Sequence, residues 1–178
     1  MKYVALLRGI NVGKGARVPM KTLKALLEGL GLRDVVTYLN SGNAVFSSSL
    51  SALDLTPVLE EELERAFGKM IPTLVKTSAE VIAIANSIPS EWGNGEGEQT
   101  YVAYLFSDVD KPGLVSELPV KTEFLTIFYT PGAIVWNIKR ENYNRSHITR
   151  IAGNGSYARM TTRNVNTARK LAAPCAEL

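Results

Sequence analysis

The hydrophobic positions follow two rhythms, and their alternation predicts the elements. Lys2–Arg8 is a run of apolar and β-branched residues and reads as a strand. Gly9–Val18 is glycine-rich and reads as a loop. Over Met20–Leu30 the apolar residues Leu23, Leu26, Leu27 and Leu30 recur at helical spacing, Pro19 stands where a helix can open, and Gly29 and Gly31 where it can end. Val35–Leu39 and Ala44–Ser47 are short strands around Asn40-Ser41-Gly42-Asn43, a hairpin signal. Thr56-Pro57 has the form of a helix cap followed by proline at the first helical position, and Leu59, Leu63, Ala66 and Phe67 then make one apolar face. Pro72–Thr77 reads as a strand and Ser78–Asn86 as a helix. The order β-α-β-β-α-β plus a helix is the ferredoxin-like topology.

A glycine- and glutamate-rich stretch, Gly93–Glu98, interrupts the pattern, and the pattern then restarts. Tyr101-Val102-Ala103-Tyr104-Leu105 echoes Tyr3-Val4-Ala5-Leu6-Leu7. Leu125–Trp136 aligns with Val35–Phe46, which sets Gly132 against Gly42, Phe128 against Tyr38, Val135 against Val45 and Trp136 against Phe46. The expected fold is therefore α+β, an α/β sandwich: a ferredoxin-like unit over 1–90, a linker at 91–99, and an imperfectly duplicated second α/β half over 100–178. The second copy is shorter and is expected to end on a helix, Thr162–Ala173, capped by a threonine, with no closing strand. Both first strands are apolar on both faces, which implies covered sheets and halves that pack together.

Composition adds limits. The chain has 178 residues, 46% hydrophobic and 21% charged, which suits a packed globular protein. No apolar run approaches the ~18 residues of a membrane span. The N-terminal apolar stretch is short and Arg8 ends it, with no small-residue cleavage site after it, so a strand is expected there rather than a signal peptide. The single cysteine, Cys175, excludes a disulfide framework and points to a reducing cytoplasm.

Charge is unevenly spread. Residues 1–33 carry seven Lys/Arg against one Glu, and residues 139–178 carry eight against two. Residues 34–100 carry three against ten acidic residues. Basic ends that converge on an anion are one reading; solvated faces are the other.

Three segments carry candidate chemistry. Arg8–Arg17 lies between a strand and a helix N-terminus, where backbone N–H groups can hold an anion. It matches neither phosphate-loop pattern: three residues rather than four separate Gly9 from Gly13-Lys14, and Gly15 stands where a hydroxyl residue belongs. Tyr38–Asn43 supplies amides and a hydroxyl at a turn. Met160–Leu171 places Thr162 and Arg163 at an expected helix N-terminus, where arginine opposes the dipole and invites an anionic partner. The expected ligand-binding residues are Arg8, Asn11, Lys14, Asn40, Ser41, Asn43, Thr162, Arg163 and Asn164. His147 is the only histidine and has no matched carboxylate or thiol, so no metal site is expected. Glu60, Glu61, Glu62 and Glu64 read as a solvated helix face, and no acid, base or nucleophile constellation stands out.

Tyr-x-Ala-Leu-Leu-Arg-Gly-Ile-Asn-Val-Gly at Tyr3–Gly13, Thr-Tyr-x-x-Ser-Gly-Asn at Thr37–Asn43 and Thr-Thr-Arg-Asn-x-Asn-Thr at Thr161–Thr167 together resemble the bacterial domain-of-unknown-function family 1697. The resemblance covers nearly all of the chain. It implies a two-part α/β architecture of ferredoxin-like character, and it implies no activity, substrate or cofactor. Val165 stands where that family often has tryptophan; if the tryptophan lines a pocket, the pocket here is altered. The residues favour binding of a small anionic or phosphorylated ligand in a cleft between the halves, without cofactor or membrane. Electrostatic nucleic-acid binding is the first alternative, with Tyr3 as a stacking residue, and an enzyme acting on a phosphorylated substrate is the second.

Overall fold

The computed structural model describes residues 1–176. Its contacts divide the chain into two units, Met1–Ile82 together with the chain from Leu171 onward, and Ala83–Lys170. No helix among the described residues is long and apolar enough to cross a membrane.

The first unit runs β1 (Lys2–Leu7), α1 (Met20–Gly29), β2 (Arg33–Tyr38), β3 (Asn43–Ser47), α2 (Ala52–Phe67) and β4 (Thr73–Thr77), followed by α3 (Ser78–Ser87). Its sheet has the order β2-β3-β1-β4, with every neighbouring pair antiparallel. Tyr3, Ala5 and Leu7 on one face of β1 join Phe46 of β3, Leu23 and Leu27 of α1, and Leu55, Leu59 and Leu63 of α2 in one core. Val4 and Leu6, on the other face, are also fully buried. α1 ends as glycine permits. Gly31 takes φ +80° and donates to Glu28 O at 2.9 Å, while Leu32 N reaches Leu27 O at 3.2 Å, two bonds that satisfy the last turn's carbonyls.

α2 differs from the sequence expectation. It starts five residues before Pro57, because Ser51 caps it: Ser51 Oγ accepts from Asp54 N at 3.2 Å. Pro57 therefore sits inside the helix, within its second turn. Ser51→Ala is expected to cost about 1 kcal/mol of stability, read as a lower urea midpoint at constant slope. An unchanged midpoint would return the cap to Thr56.

The second unit repeats the frame. It runs β5 (Glu98–Leu105), α4 (Leu114–Glu117), β6 (Thr126–Thr130), β7 (Ala133–Lys139) and β8 (Met160–Asn164), and its four strands form a sheet of order β6-β7-β5-β8, again antiparallel throughout. Trp136 lies opposite Tyr101 and Val135 opposite Val102, as Phe46 lies opposite Tyr3 and Val45 opposite Val4. The turn glycines match in function: Gly42 O accepts from Leu7 N at 2.8 Å, and Gly132 O from Leu105 N at 2.9 Å. Each fourth strand even buries a cation at the same register, Lys76 opposite Val4 and Arg163 opposite Val102.

β8 corrects the expectation of a second half without a closing strand. Met160–Asn164 pairs with β5 over its whole length, and the last helix, α5 (Val165–Ala176), starts only after it. Asn164, not a threonine, serves its first turn: Asn164 Oδ1 accepts from Thr167 N at 2.9 Å. The strand was hidden because Thr161, Thr162 and Arg163 make a polar run without apolar alternation, and threonine fits a strand as well as a cap.

The units part company in what covers the sheet. Between β3 and β4 the first unit places the sixteen-residue α2. Between β7 and β8 the second unit has only three 3-10 segments, Arg140–Asn142, Ile148–Gly153 and Gly155–Arg159. The sequence there has no helical apolar period, and its polar side chains bind nearby backbone instead. Ser146 Oγ donates to Tyr143 O at 2.7 Å and accepts from Ile148 N, Asn154 Oδ1 accepts from Ser156 N at 2.9 Å, and His147 takes φ +58°.

Candidate functional site

Two hollows lie near chemistry-bearing residues, one in each unit. In the first unit the glycine-rich loop folds back on itself: Asn11 N donates to Ala16 O at 2.9 Å and Gly15 N to Val12 O at 2.8 Å. Asn11 sits at φ +55°, a region asparagine tolerates better than most residues. Its side chain ties three strands of chain together. Nδ2 donates to Val18 O at 2.9 Å and to Asn40 O at 2.8 Å, and Oδ1 accepts from Val18 N at 2.8 Å. The loop and the hairpin turn, separate in sequence, thereby meet around a shallow depression of about 360 Å³ lined by Asn11, Arg17, Val18, Pro19 and Asn40.

The remaining expected residues of this unit surround that junction. Arg8 is half-buried and its N–H donates to Pro72 O at 2.9 Å. Lys14 is exposed, and its carbonyl accepts from Lys69 Nζ at 3.0 Å. Asn40 and Ser41 are exposed, whereas Asn43 is fully buried and donates from Nδ2 to Tyr38 O and Ser41 Oγ at 2.8 and 2.9 Å. Asn11→Ala is expected to lower stability by about 2 kcal/mol, since several hydrogen bonds near 1 kcal/mol each vanish. Thermal melting checks this, and an unaltered melt would mean the junction holds without the side chain. Tyr3, the stacking residue of the nucleic-acid alternative, is buried against Phe46 and donates its O–H to Leu50 O at 2.9 Å.

The second hollow is deeper in chemistry. Where α2 would lie in the first unit, the second leaves a cavity of about 280 Å³. Its floor is the sheet face carrying Gln99, Tyr101, Trp136, Ile138 and Thr162. Its walls are Tyr143, Ile148, Thr149, Ile151, Ala152 and Tyr157 from the 3-10 segments. Tyr101 and Trp136 stack with ring centroids 5.9 Å apart and planes 28° from parallel. Tyr143 and Tyr157 are both more than a third exposed. The lining includes no carboxylate, imidazole, thiol or amine.

Of the expected C-terminal residues, Thr162 lines this cavity and its neighbours do not. Strand alternation explains the split: Thr162 shares a face with Ala103, and Arg163 shares the opposite face with Val102. Arg163 is buried and donates from Nη1 to Thr161 Oγ1 at 2.8 Å and to Thr162 O at 2.9 Å. Burial pushes its pKa down to about 10, with Tyr104 opposing, so it stays charged at neutral pH. It does not stand at the N-terminus of a helix, as the sequence led one to expect. Val165 is fully buried and lines neither hollow.

A family model described as a protein of unknown function, DUF1697, matches residues 1–136. The chain belongs to this family. The match runs from the first strand through Trp136, so it takes in Gln99, Tyr101 and Trp136 of the cavity floor and stops before β8. The solved structure of a conserved bacterial protein from Streptococcus pneumoniae is similar over 98% of this chain and 98% of its own, with a TM-score of 0.82 at 24% identity. That likeness concerns the fold. No curated protein matches the chain.

Sequence reasoning missed Gln99, Tyr101, Trp136, Tyr143 and Tyr157 in this DUF1697 chain. A signal for them existed. Tyr101 and Trp136 align with Tyr3 and Phe46, yet the residues after Trp136 lack the apolar period that would lay a helix over them. An aromatic pair with no helix to follow is the mark of a face that shorter elements cover only in part. Among the described residues no group of three or more His, Cys, Asp or Glu side chains could hold a metal ion.

Proposed function

We propose that the chain binds a small anionic ligand carrying a flat ring, seated in the cavity of Ala83–Lys170. The half-buried Tyr101 ring, stacked on the buried Trp136 at the floor of a cavity where the first unit has a helix, carries this reading. Aromatic faces favour a flat partner, and the volume suits a single ring system near the small end of ligand pockets, about 300 Å³. The charge of the surrounding chain supports the anionic part. Residues 139–159 hold five Lys/Arg against one Glu. Arg159 pairs with Asp108 at 2.9 Å, Arg140 Nε donates to Gly95 O at 2.7 Å, Arg145 lies over the Phe124 ring at 4.3 Å, and Lys139 is the fourth. The fifth, Arg150, lies between the lining residues Thr149 and Ile151, is exposed, and makes no side-chain hydrogen bond or ion pair among the described residues. The lining offers phenol, hydroxyl and carboxamide groups and no carboxylate, imidazole, thiol or amine, a set suited to holding the ring by stacking and hydrogen bonds.

His147 offers a direct test. Loss of solvation, then the positive charges of Arg150 and Lys121, hold its pKa below the ordinary histidine value. An anion beside Arg150 must offset that repulsion and raise it. Since His147 is the only histidine, its imidazole proton resonances can be titrated without ambiguity. With a saturating ring-bearing phosphate such as phenyl phosphate the midpoint is expected to move up, and with the ring alone to stay in place. A midpoint indifferent to the anion, in a sample where Tyr101→Leu also leaves ligand affinity unchanged, would remove the proposal.

A further inference from the structure

The cavity's polar side chains say more about the ring. Gln99, Thr149 and Thr162 line it, and none of the three makes a side-chain hydrogen bond among the described residues. On the opposite face of the same strands the polar side chains are satisfied by one another: Asn137 Nδ2 donates to Glu98 Oε2 at 2.8 Å and to Thr100 Oγ1 at 2.9 Å, while Glu98 Oε1 accepts from Gly93 N at 2.7 Å. The sheet thus pairs its polar groups on one face and leaves them open on the other, beside stacked aromatic rings. A ligand that was merely aromatic would cover Gln99 and leave a desolvated carboxamide without a partner, which is costly.

Resting on the cavity reading above, we infer that the ring is a nucleobase-type heterocycle, read at its edge by the Gln99 carboxamide with the Thr162 and Thr149 hydroxyls beside it, and that the ligand class is a nucleoside phosphate. The carboxamide is one donor group and one acceptor on a rigid plane. It pairs in two bonds with an edge that presents a donor next to an acceptor, as adenine does with its amino group and N7; the corresponding guanine edge presents two acceptors and suits arginine. Gln99 and Tyr101 project from the same face of β5 two residues apart, so a ring stacked on the aromatic floor has its edge toward Gln99. The lining holds no carboxylate, imidazole, guanidinium or amine, so selection among rings falls to these hydrogen bonds.

The test is calorimetric titration of the full chain with adenosine monophosphate, guanosine monophosphate and phenyl phosphate, for the wild type and for Gln99→Leu, Thr162→Val and Tyr101→Leu. The wild type is expected to bind adenosine monophosphate at least tenfold tighter than either other compound. Gln99→Leu should erase that preference, both by weakening adenosine monophosphate and by tightening phenyl phosphate, which no longer leaves a carboxamide desolvated and unpaired. Thr162→Val, nearly isosteric, should reduce the preference by a smaller factor, and it serves if Gln99→Leu melts early. Equal binding of all three compounds by the wild type, weakened together by Tyr101→Leu, would overturn the edge reading and leave the cavity reading standing. No binding of any compound, or binding that ignores Tyr101→Leu, would overturn both.

Discussion

Trp136→Ala is expected to destabilise the second unit by about 3–5 kcal/mol, the usual range for removing a large buried aromatic. The side chain is only 7% exposed and belongs to the cluster that holds Leu105, Leu118, Ile134 and Met160. It also supports Tyr101 through the ring stack, worth a further fraction of this figure. The loss is large because nothing can collapse into the space. The cavity already lies on that side, and the 3-10 segments above it are fixed by Ser146 and Asn154 through their own backbone bonds. Urea unfolding followed by far-ultraviolet circular dichroism reads the effect. Trp136→Phe, which puts at this position the residue that the first unit has there, should cost less than half as much. A loss under about 1 kcal/mol for the alanine variant would mean that Trp136 caps a void rather than filling a core.

Much of the frame was legible in the chain. The apolar run in Lys2–Arg8, the Asn-Ser-Gly-Asn turn and the match of Val35–Phe46 to Leu125–Trp136 mark segments that the structure makes strands at equivalent places in its two sheets. These features were readable because they depend on local rules: strand composition, turn chemistry and residue size. The last strand was not, since Thr161-Thr162-Arg163 obeys the rule for a cap as well as the rule for a strand. The helix start at Ser51 was missed for a related reason, as the proline signal at Pro57 outweighed a serine whose only mark is the bond it makes three residues on.

The candidate site was less legible, and for a physical reason. Amides and guanidinium groups are chosen both to hold ligands and to hold backbone, and the sequence does not say which. Asn11, Asn43, Asn164 and Arg163 all spend hydrogen bonds on nearby main chain. Conversely, the cavity is made by what the second unit lacks. A helix like α2 would hide Tyr101, and its replacement by short 3-10 segments leaves that ring half-buried at the cavity floor beside the buried Trp136. Absence of a covering element leaves no motif, only a missing period.

Gly42→Ala is expected to cost the first unit about 3 kcal/mol, from two independent sources. The residue has φ +77°, where an L side chain is strained by roughly 1–2 kcal/mol. An added Cβ would also lie 2.6 Å from Ile10 Cδ1 and 2.8 Å from Leu7 Cβ. The end of Ile10 can rotate away, but Leu7 Cβ is the stem of a core residue on β1 and cannot, so overpacking adds about 1–3 kcal/mol. The backbone has little room to retreat, because Gly42 O accepts from Leu7 N at 2.8 Å and moving the turn stretches that bond. Gly68→Ala separates the two sources. Gly68 ends α2 at φ +69°, its N–H donates to Glu64 O at 2.8 Å, and an added Cβ there meets nothing within 4 Å. It should therefore lose only the strain, about 1 kcal/mol. Thermal unfolding of the two variants gives the difference. If both shift alike, the overlap at Leu7 is relieved by a small movement of the turn, and the fit of Gly42 against β1 carries no energy of its own; if Gly42→Ala falls well below Gly68→Ala, close packing is what fixes the turn against the first strand.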